Sequence, residues 1–174
     1  ARIIFQSITK DFGGLSLDPI FQNGAVLQRG ETVRISGKGN PGDSIIVTIG
    51  CKTTKTAIDL NGKWVARLKD IKPGGPYTLE VRSFENRINV DSLWIGDVWL
   101  AMGQSNMEWP LKNSNGGVEA SQLMANQEWP KVYKFHPKVS MNNAQWDDSV
   151  LQSIQTLDFF DANWVSGSGL KSTS

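Results

Sequence analysis

Gly103-Gln104-Ser105-Asn106-Met107 follows directly on a nearly unbroken apolar run, Leu93 to Met102. Reactive groups of open α/β sheets sit at the carboxyl ends of such strands. Gly103 allows a tight exit without a Cβ clash, so Ser105 can project with its own N–H turned toward a substrate, in the manner of a nucleophile elbow. A serine hydroxyl is too weakly acidic to attack an ester unaided. It needs a base within hydrogen-bond reach, ordinarily an imidazole oriented by a carboxylate. The single histidine, His136, lies in Lys134-Phe135-His136-Pro137-Lys138 and reads as an ordinary surface or strand-end residue, with a ligand-site role as the alternative. Asp97 is expected to make a structural hydrogen bond. Trp64, Trp94 and Trp99 read as core. Trp109, just past the serine, is a candidate wall of the substrate site, with packing as the competing role.

The elements that must position Ser105 differ on its two sides. From about Leu15 to Asn89, short alternating apolar runs separated by Gly, Pro and Asn clusters predict antiparallel strands with one buried face. Ile45, Val47 and Ile49 alternate with smaller or polar neighbours, as do Trp64, Ala66 and Leu68, and Tyr77, Leu79 and Val81, so each set points to one face. Asn61-Gly62 can supply two positive-φ residues for a hairpin between Ile58 and Trp64. Pro41-Gly42-Asp43 and Pro73-Gly74-Gly75-Pro76 mark other strand ends.

After Asp91 the apolar run predicts a strand buried on both faces. A helix over Gly117 to Gln127, carrying Val118, Leu123 and Met124, and a strand from Lys131 to Phe135 then suggest a βαβ crossover. Beyond His136, Asn142-Asn143, Asp147-Asp148 and the Gly-Ser tail show no core element. The expected architecture is an N-terminal antiparallel β-sandwich, residues 1–92, followed by the incomplete first βαβ part of an α/β domain, residues 93–174.

With 18 basic and 17 acidic residues the formal net charge of the 174-residue chain is +1. No charge run favours a nucleic-acid or anionic-membrane surface, so the expected partner is small or neutral. No apolar run reaches the ~20 residues of a membrane helix, and the first residues lack a signal peptide's apolar stretch, which predicts a soluble, already processed chain. The lone Cys51 cannot form an internal disulfide and reads as an inert packing residue where a strand meets a turn, with a reactive or metal-binding role as the alternative. There is no Asn-x-Ser/Thr site to mark eukaryotic secretion.

The stretch Asp97-Val98-Trp99-Leu100-Ala101-Met102-Gly103-Gln104-Ser105-Asn106-Met107-Glu108-Trp109-Pro110-Leu111 resembles the nucleophile block of the sialate O-acetylesterases and related SGNH-type carbohydrate acetylesterases. Three upstream segments resemble the same family in order and spacing: Phe21-Gln22-Asn23-Gly24-Ala25-Val26-Leu27-Gln28-Arg29, Asn61-Gly62-Lys63-Trp64, and Gly74-Gly75-Pro76-Tyr77-Thr78-Leu79. The resemblance covers roughly residues 15 to 115.

It implies hydrolysis of acetyl esters on sugar hydroxyls through an acyl-enzyme at Ser105, which also supplies an oxyanion-hole N–H. Gly103, Gln104 and Asn106 would form the supporting turn, and no metal or other cofactor takes part. It also implies an Asp-x-x-His block far downstream, with a Gly and an Asn from intervening loops, and this chain has none of them; three residues before His136 stands Tyr133. Ala101-Met102, where many relatives carry Cys-Ser or Ala-Gly, reads as a packing variant. The expected substrate is an O-acetylated sugar, and a second chain or a missing C-terminal portion would complete the site. A secreted or periplasmic location is expected. The alternative is a non-catalytic carbohydrate-binding or assembly module.

Overall fold

The computed structural model describes residues 14–103, 109–110, 113–124, 131–138, 146–155 and 159–166. The described chain is mostly β, with two short helices. Ten strands run in order: β1 (Ser16–Leu17), β2 (Val26–Gln28), β3 (Val33–Lys38), β4 (Ser44–Ile49), β5 (Lys52–Ala57), β6 (Lys63–Leu68), β7 (Gly74–Arg82), β8 (Arg87–Gly96), β9 (Lys131–Pro137) and β10 (Phe160–Ser166). Helix α1 (Gly117–Met124) precedes β9, and α2 (Asp148–Gln155) lies between β9 and β10.

Two of the sheets share one core. A three-stranded sheet has the order β1-β3-β6, and a five-stranded sheet the order β2-β8-β7-β4-β5. Val33, Ile35, Trp64, Ala66 and Leu68 of the first cluster with Ile45, Val47, Ile49, Leu79, Val81, Leu93 and Ile95 of the second. The period-two sets read from the sequence therefore do point inward; only Tyr77 is less than fully buried. Removing this apolar surface from water is the main stabilising term.

Turn chemistry explains how strands pass between sheets. Pro41 and Gly42, with φ 88° at Gly42 and Asp43 N–H donating to Asn40 C=O, have the residue order of a type II turn. Asn61-Gly62 departs from expectation. Of that pair only Gly62 has positive φ, at 73°. Asp59 organises the loop: its carboxylate accepts from the N–H groups of Asn61 and Lys63, both at 2.9 Å, while Gly62 N–H donates to Asp59 C=O. The result is a longer turn ending in one left-handed glycine. It does not close a hairpin ladder, because β5 pairs with β4 while β6 pairs with β3 in the other sheet. Cys51 sits exposed in the Gly50-Cys51 turn between β4 and β5, so it is not a packing residue.

The apolar run after Asp91 corrects a larger expectation. Leu93 to Gly96 is the end of β8, while Val98, Trp99, Leu100 and Met102 are exposed, Trp99 at 90%. Trp64 is core and Trp94 part-buried, but Trp99 is on the surface. There is no doubly buried strand over residues 93–102, since after Gly96 nothing among the described residues covers the apolar side chains. Nor do the described residues contain a parallel βαβ crossover. The expected helix and second strand exist as α1 and β9, but β9 pairs antiparallel with β10, from Lys131↔Ser166 to Pro137↔Phe160.

Two elements beyond His136 escaped the sequence reading. Asp147 caps α2, its carboxylate accepting from the Ser149 hydroxyl at 2.6 Å and from Val150 N–H at 2.9 Å, which holds its pKa below the usual carboxylate value. Strand β10 places Phe160, Ala162 and Trp164 opposite Pro137, Phe135 and Tyr133. Tyr133 and Trp164 pack with ring centroids 5.1 Å apart and their planes tilted by 41°.

Leu79 is fully buried, whereas Leu60 is an exposed loop residue. Leu79→Ala is expected to cost about 2–5 kcal/mol of stability, and Leu60→Ala no more than about 0.5 kcal/mol. Equal midpoints for the two variants in urea unfolding would contradict the assignment of the core.

Candidate functional site

The chain leading into Ser105 is anchored by the segment from Phe21 to Arg29. Strand β2 runs parallel to the end of β8, with Val26↔Trp94, Leu27↔Ile95 and Gln28↔Gly96 in register. Phe21 and Ala25 are buried in the common core. Asn23 Oδ1 accepts from Asp91 N–H at 2.7 Å, and Ala25 C=O accepts from Trp94 N–H at 2.8 Å. Farther along, Arg29 N–H donates to Gly96 C=O at 2.8 Å, Gln28 Oε1 accepts from Val98 N–H at 2.9 Å, and Arg29 Nε donates to Asp97 Oδ1 at 2.7 Å. That ion pair raises the Arg29 pKa above its ordinary value.

A change of phase within β8 makes this geometry possible. Ile88 and Val90 face inward, then Leu93 and Ile95 do so, so the inward parity flips between Val90 and Leu93. The β7 partners jump from Leu79↔Val90 to Tyr77↔Leu93, and Ser92 sits at φ 57°. This is a bulge, one extra residue that re-aims the strand. Gly75 is required on the neighbouring strand. A Cβ there would lie 2.8 Å from Leu93 C=O and 3.0 Å from the Trp94 ring, and φ is 154°.

The β9/β10 ribbon docks against the same anchor. Gln22 Nε2 donates to Ala162 C=O at 3.0 Å, and Trp164 Nε1 donates to Ile20 C=O at 2.8 Å. Lys131 Nζ lies 5.1 Å from the centroid of the Trp94 ring, a cation–π contact. Partial burial there lowers the Lys131 pKa.

Of the residues singled out by sequence, Gly103 is described and exposed, and Trp109 is 60% exposed. Gln104, Ser105 and Asn106 lie outside the described residues. Asp97 makes the structural hydrogen bond expected of it, with Arg29 as partner. His136 is exposed on β9, opposite Asp161 in register. Among the described residues no group of three or more His, Cys, Asp or Glu could hold a metal ion, and no helix is long and apolar enough to cross a membrane. Sequence reasoning missed the roles of Gln28 and Arg29. Their only signal was their place at the end of the first matching segment, and the parallel register that gives them partners ~70 positions away is invisible in one dimension.

No family model matches the chain. It is similar to the sialate O-acetylesterase of Mus musculus, with 30% identity over 162 residues, 84% of this chain and 29% of the mouse protein. The Homo sapiens sialate O-acetylesterase is 34% identical over 84 residues, 42% of this chain and 16% of the human protein. Among solved structures, a carbohydrate acetylesterase from Xanthomonas citri is similar with a TM-score of 0.63 and 29% identity, over 87% of this chain and 32% of that one. The chain thus spans less than a third of the length of each of these proteins.

Replacing Gln28 by Leu removes the acceptor of the Val98 N–H at the exit from β8. Amide exchange at Val98 is expected to accelerate, while protection of Leu93 and Ile95 is retained. Unchanged exchange at Val98 would contradict the anchoring role of Gln28.

Proposed function

This chain is a relative of the sialate O-acetylesterases, and from that premise we propose that it is the nucleophile-bearing segment of an enzyme that hydrolyses acetyl esters on sugar hydroxyls. The observation that carries the reading is the anchored exit of β8. A strand end held on one side by Ala25, Gln28 and Arg29 leads, seven residues past Gly96, into Gly103-Gln104-Ser105. In this reading Ser105 Oγ attacks the acetyl carbonyl carbon, the sugar oxygen leaves with a proton, and water then releases acetate from the acyl-enzyme. The Ser105 N–H helps hold the oxyanion, with Gly103, Gln104 and Asn106 shaping the turn. The exposed Trp109 ring is available as a wall for the sugar.

The catalytic imidazole comes from elsewhere in this proposal. His136 sits on a strand whose neighbours place Asp161 beside it, yet nothing relates it to an Asp-x-x-His arrangement. A further portion of the polypeptide or a second chain supplies the base, its orienting carboxylate and the rest of the oxyanion hole. We place the division between the β-sandwich and the hydrolase segment after Gly96, where β8 ends, rather than at residue 92, inside that strand. Val98, Trp99, Leu100 and Met102 then form the start of the hydrolase segment, and their exposure fits a surface that the missing part covers. A secreted or periplasmic setting fits an enzyme of glycans.

The 174-residue chain alone is expected to hydrolyse 4-nitrophenyl acetate no faster than its Ser105→Ala variant, because removing the base leaves only weak residual catalysis. A form extended to the length of the mouse relative is expected to show turnover that Ser105→Ala abolishes. Turnover by the extended form that survives Ser105→Ala would overturn the assignment of the nucleophile.

A further inference from the structure

The near-neutral net charge conceals a segregated cationic surface. Strands β3 and β6 pair so that Arg34 stands directly opposite Arg67, and Lys38 directly opposite Lys63. All four are exposed, on the face of the three-stranded sheet turned away from the core, because their neighbours Val33, Ile35, Trp64, Ala66 and Leu68 are buried. Opposed Cα atoms in antiparallel strands lie about 4.5–5.5 Å apart, and four residues along a strand span about 13 Å. Two pairs of cations therefore bracket a flat middle row made of Ser36 and Val65. Among the described residues, Asp18 brings a carboxylate to that row, its side chain accepting from the Ser36 hydroxyl.

Like charges directly opposite one another destabilise a ladder, and elsewhere this protein removes that penalty. On the five-stranded sheet Arg82 stands opposite Arg87 in the same way, but Glu80 pairs with both. Arg29 has Asp97, and Lys138 has Asp161. Arg34, Lys38, Lys63 and Arg67 have no ion-pair partner among the described residues. The uncompensated arrangement suits an external anion, and paired guanidinium groups match planar carboxylates through two parallel hydrogen bonds.

We infer that the outer face of the three-stranded sheet, with Arg34 and Arg67 at one end and Lys38 and Lys63 at the other, binds a carboxylate-bearing polysaccharide chain. The two cation pairs accept carboxylates from well-separated sugars of one chain, and the sugar rings between them lie over Ser36 and Val65. No aromatic side chain occupies these outward positions of β3 and β6 to stack bases, which favours a polyuronate over single-stranded nucleic acid. The choice of a polysaccharide rests on the proposed function above; the cationic surface does not.

The probe is alginate, a polyuronate, immobilised and challenged with the 174-residue chain at low and moderate salt. Pullulan serves as a neutral polysaccharide and oligothymidylate as a nucleic acid. Retention on alginate is expected, weakening as salt rises, with none on pullulan. Arg34→Gln/Arg67→Gln, and separately Lys38→Gln/Lys63→Gln, are expected to weaken binding by about tenfold or more. Arg82→Gln/Arg87→Gln removes the same charge from the other sheet and is expected to leave binding unchanged, as is Ser105→Ala. The replaced arginine and lysine side chains are exposed, and coincident melting curves will confirm folding. Absence of alginate binding, an equal loss in the Arg82/Arg87 variant, or tighter binding to oligothymidylate would overturn the inference. The Ser105 assay can fail while alginate binding persists, and the reverse, so the two readings fall separately.

Discussion

The parallel pairing of β2 with the last residues of β8 is the constraint on which the other features depend. A parallel pair cannot be closed by a tight turn, and here the connection between β2 and β8 runs through most of the two-sheet core. Leu93 and Ile95 are buried by that core, while the backbone N–H of Trp94 and the C=O of Gly96 are engaged by Ala25 and Arg29. The strand end is thus held by side-chain burial and by backbone hydrogen bonds at once. Neither would suffice without the bulge at Ser92, which shifts the inward parity so that Leu93 and Ile95 reach the core.

This arrangement gives the first matching segment a physical reason for its composition. Phe21 and Ala25 fill the core, Asn23 satisfies the amide of Asp91 beside the bulge, and Gln28 and Arg29 reach past the strand end to Val98 and Asp97. Gln22 and Ile20 receive the β9/β10 ribbon. One short segment therefore links the core, the strand that leads to Ser105 and the ribbon that follows it. Of these contacts the Arg29–Asp97 pair, half-exposed on both sides, contributes least to stability because water and salt screen it. Its geometric role, fixing where the chain leaves the sheet, does not depend on its strength.

What the sequence made legible follows from which interactions are local. The inward sets of β4, β6 and β7 were readable because strands that bury one face alternate with period two. The strand end at Pro41-Gly42-Asp43 was readable because that turn is set by its own residues. Asn61-Gly62 misled, because Asp59 takes over the loop and the flanking strands go to different sheets. The run from Leu93 to Met102 misled in another way: continuous apolarity says that a segment will be covered, not by what, and its second half is exposed in this chain. At the candidate site, Asp97 was assigned its structural hydrogen bond but Gln28 could not be found, and neither could the pairing of Arg34 with Arg67 on the outer face of the other sheet, since their partners are set by register between distant strands.

A stable β core ends at Gly96 and presents an uncovered segment that carries the route to Ser105. Hydrogen–deuterium exchange with peptide-level readout on the 174-residue chain tests it most directly. Peptides from Arg87 to Gly96 are expected to exchange only on global unfolding, whereas residues 99–102 exchange far faster. Protection of residues 99–102 equal to that of β8 would contradict it, and would mean that the apolar segment is already buried in this chain.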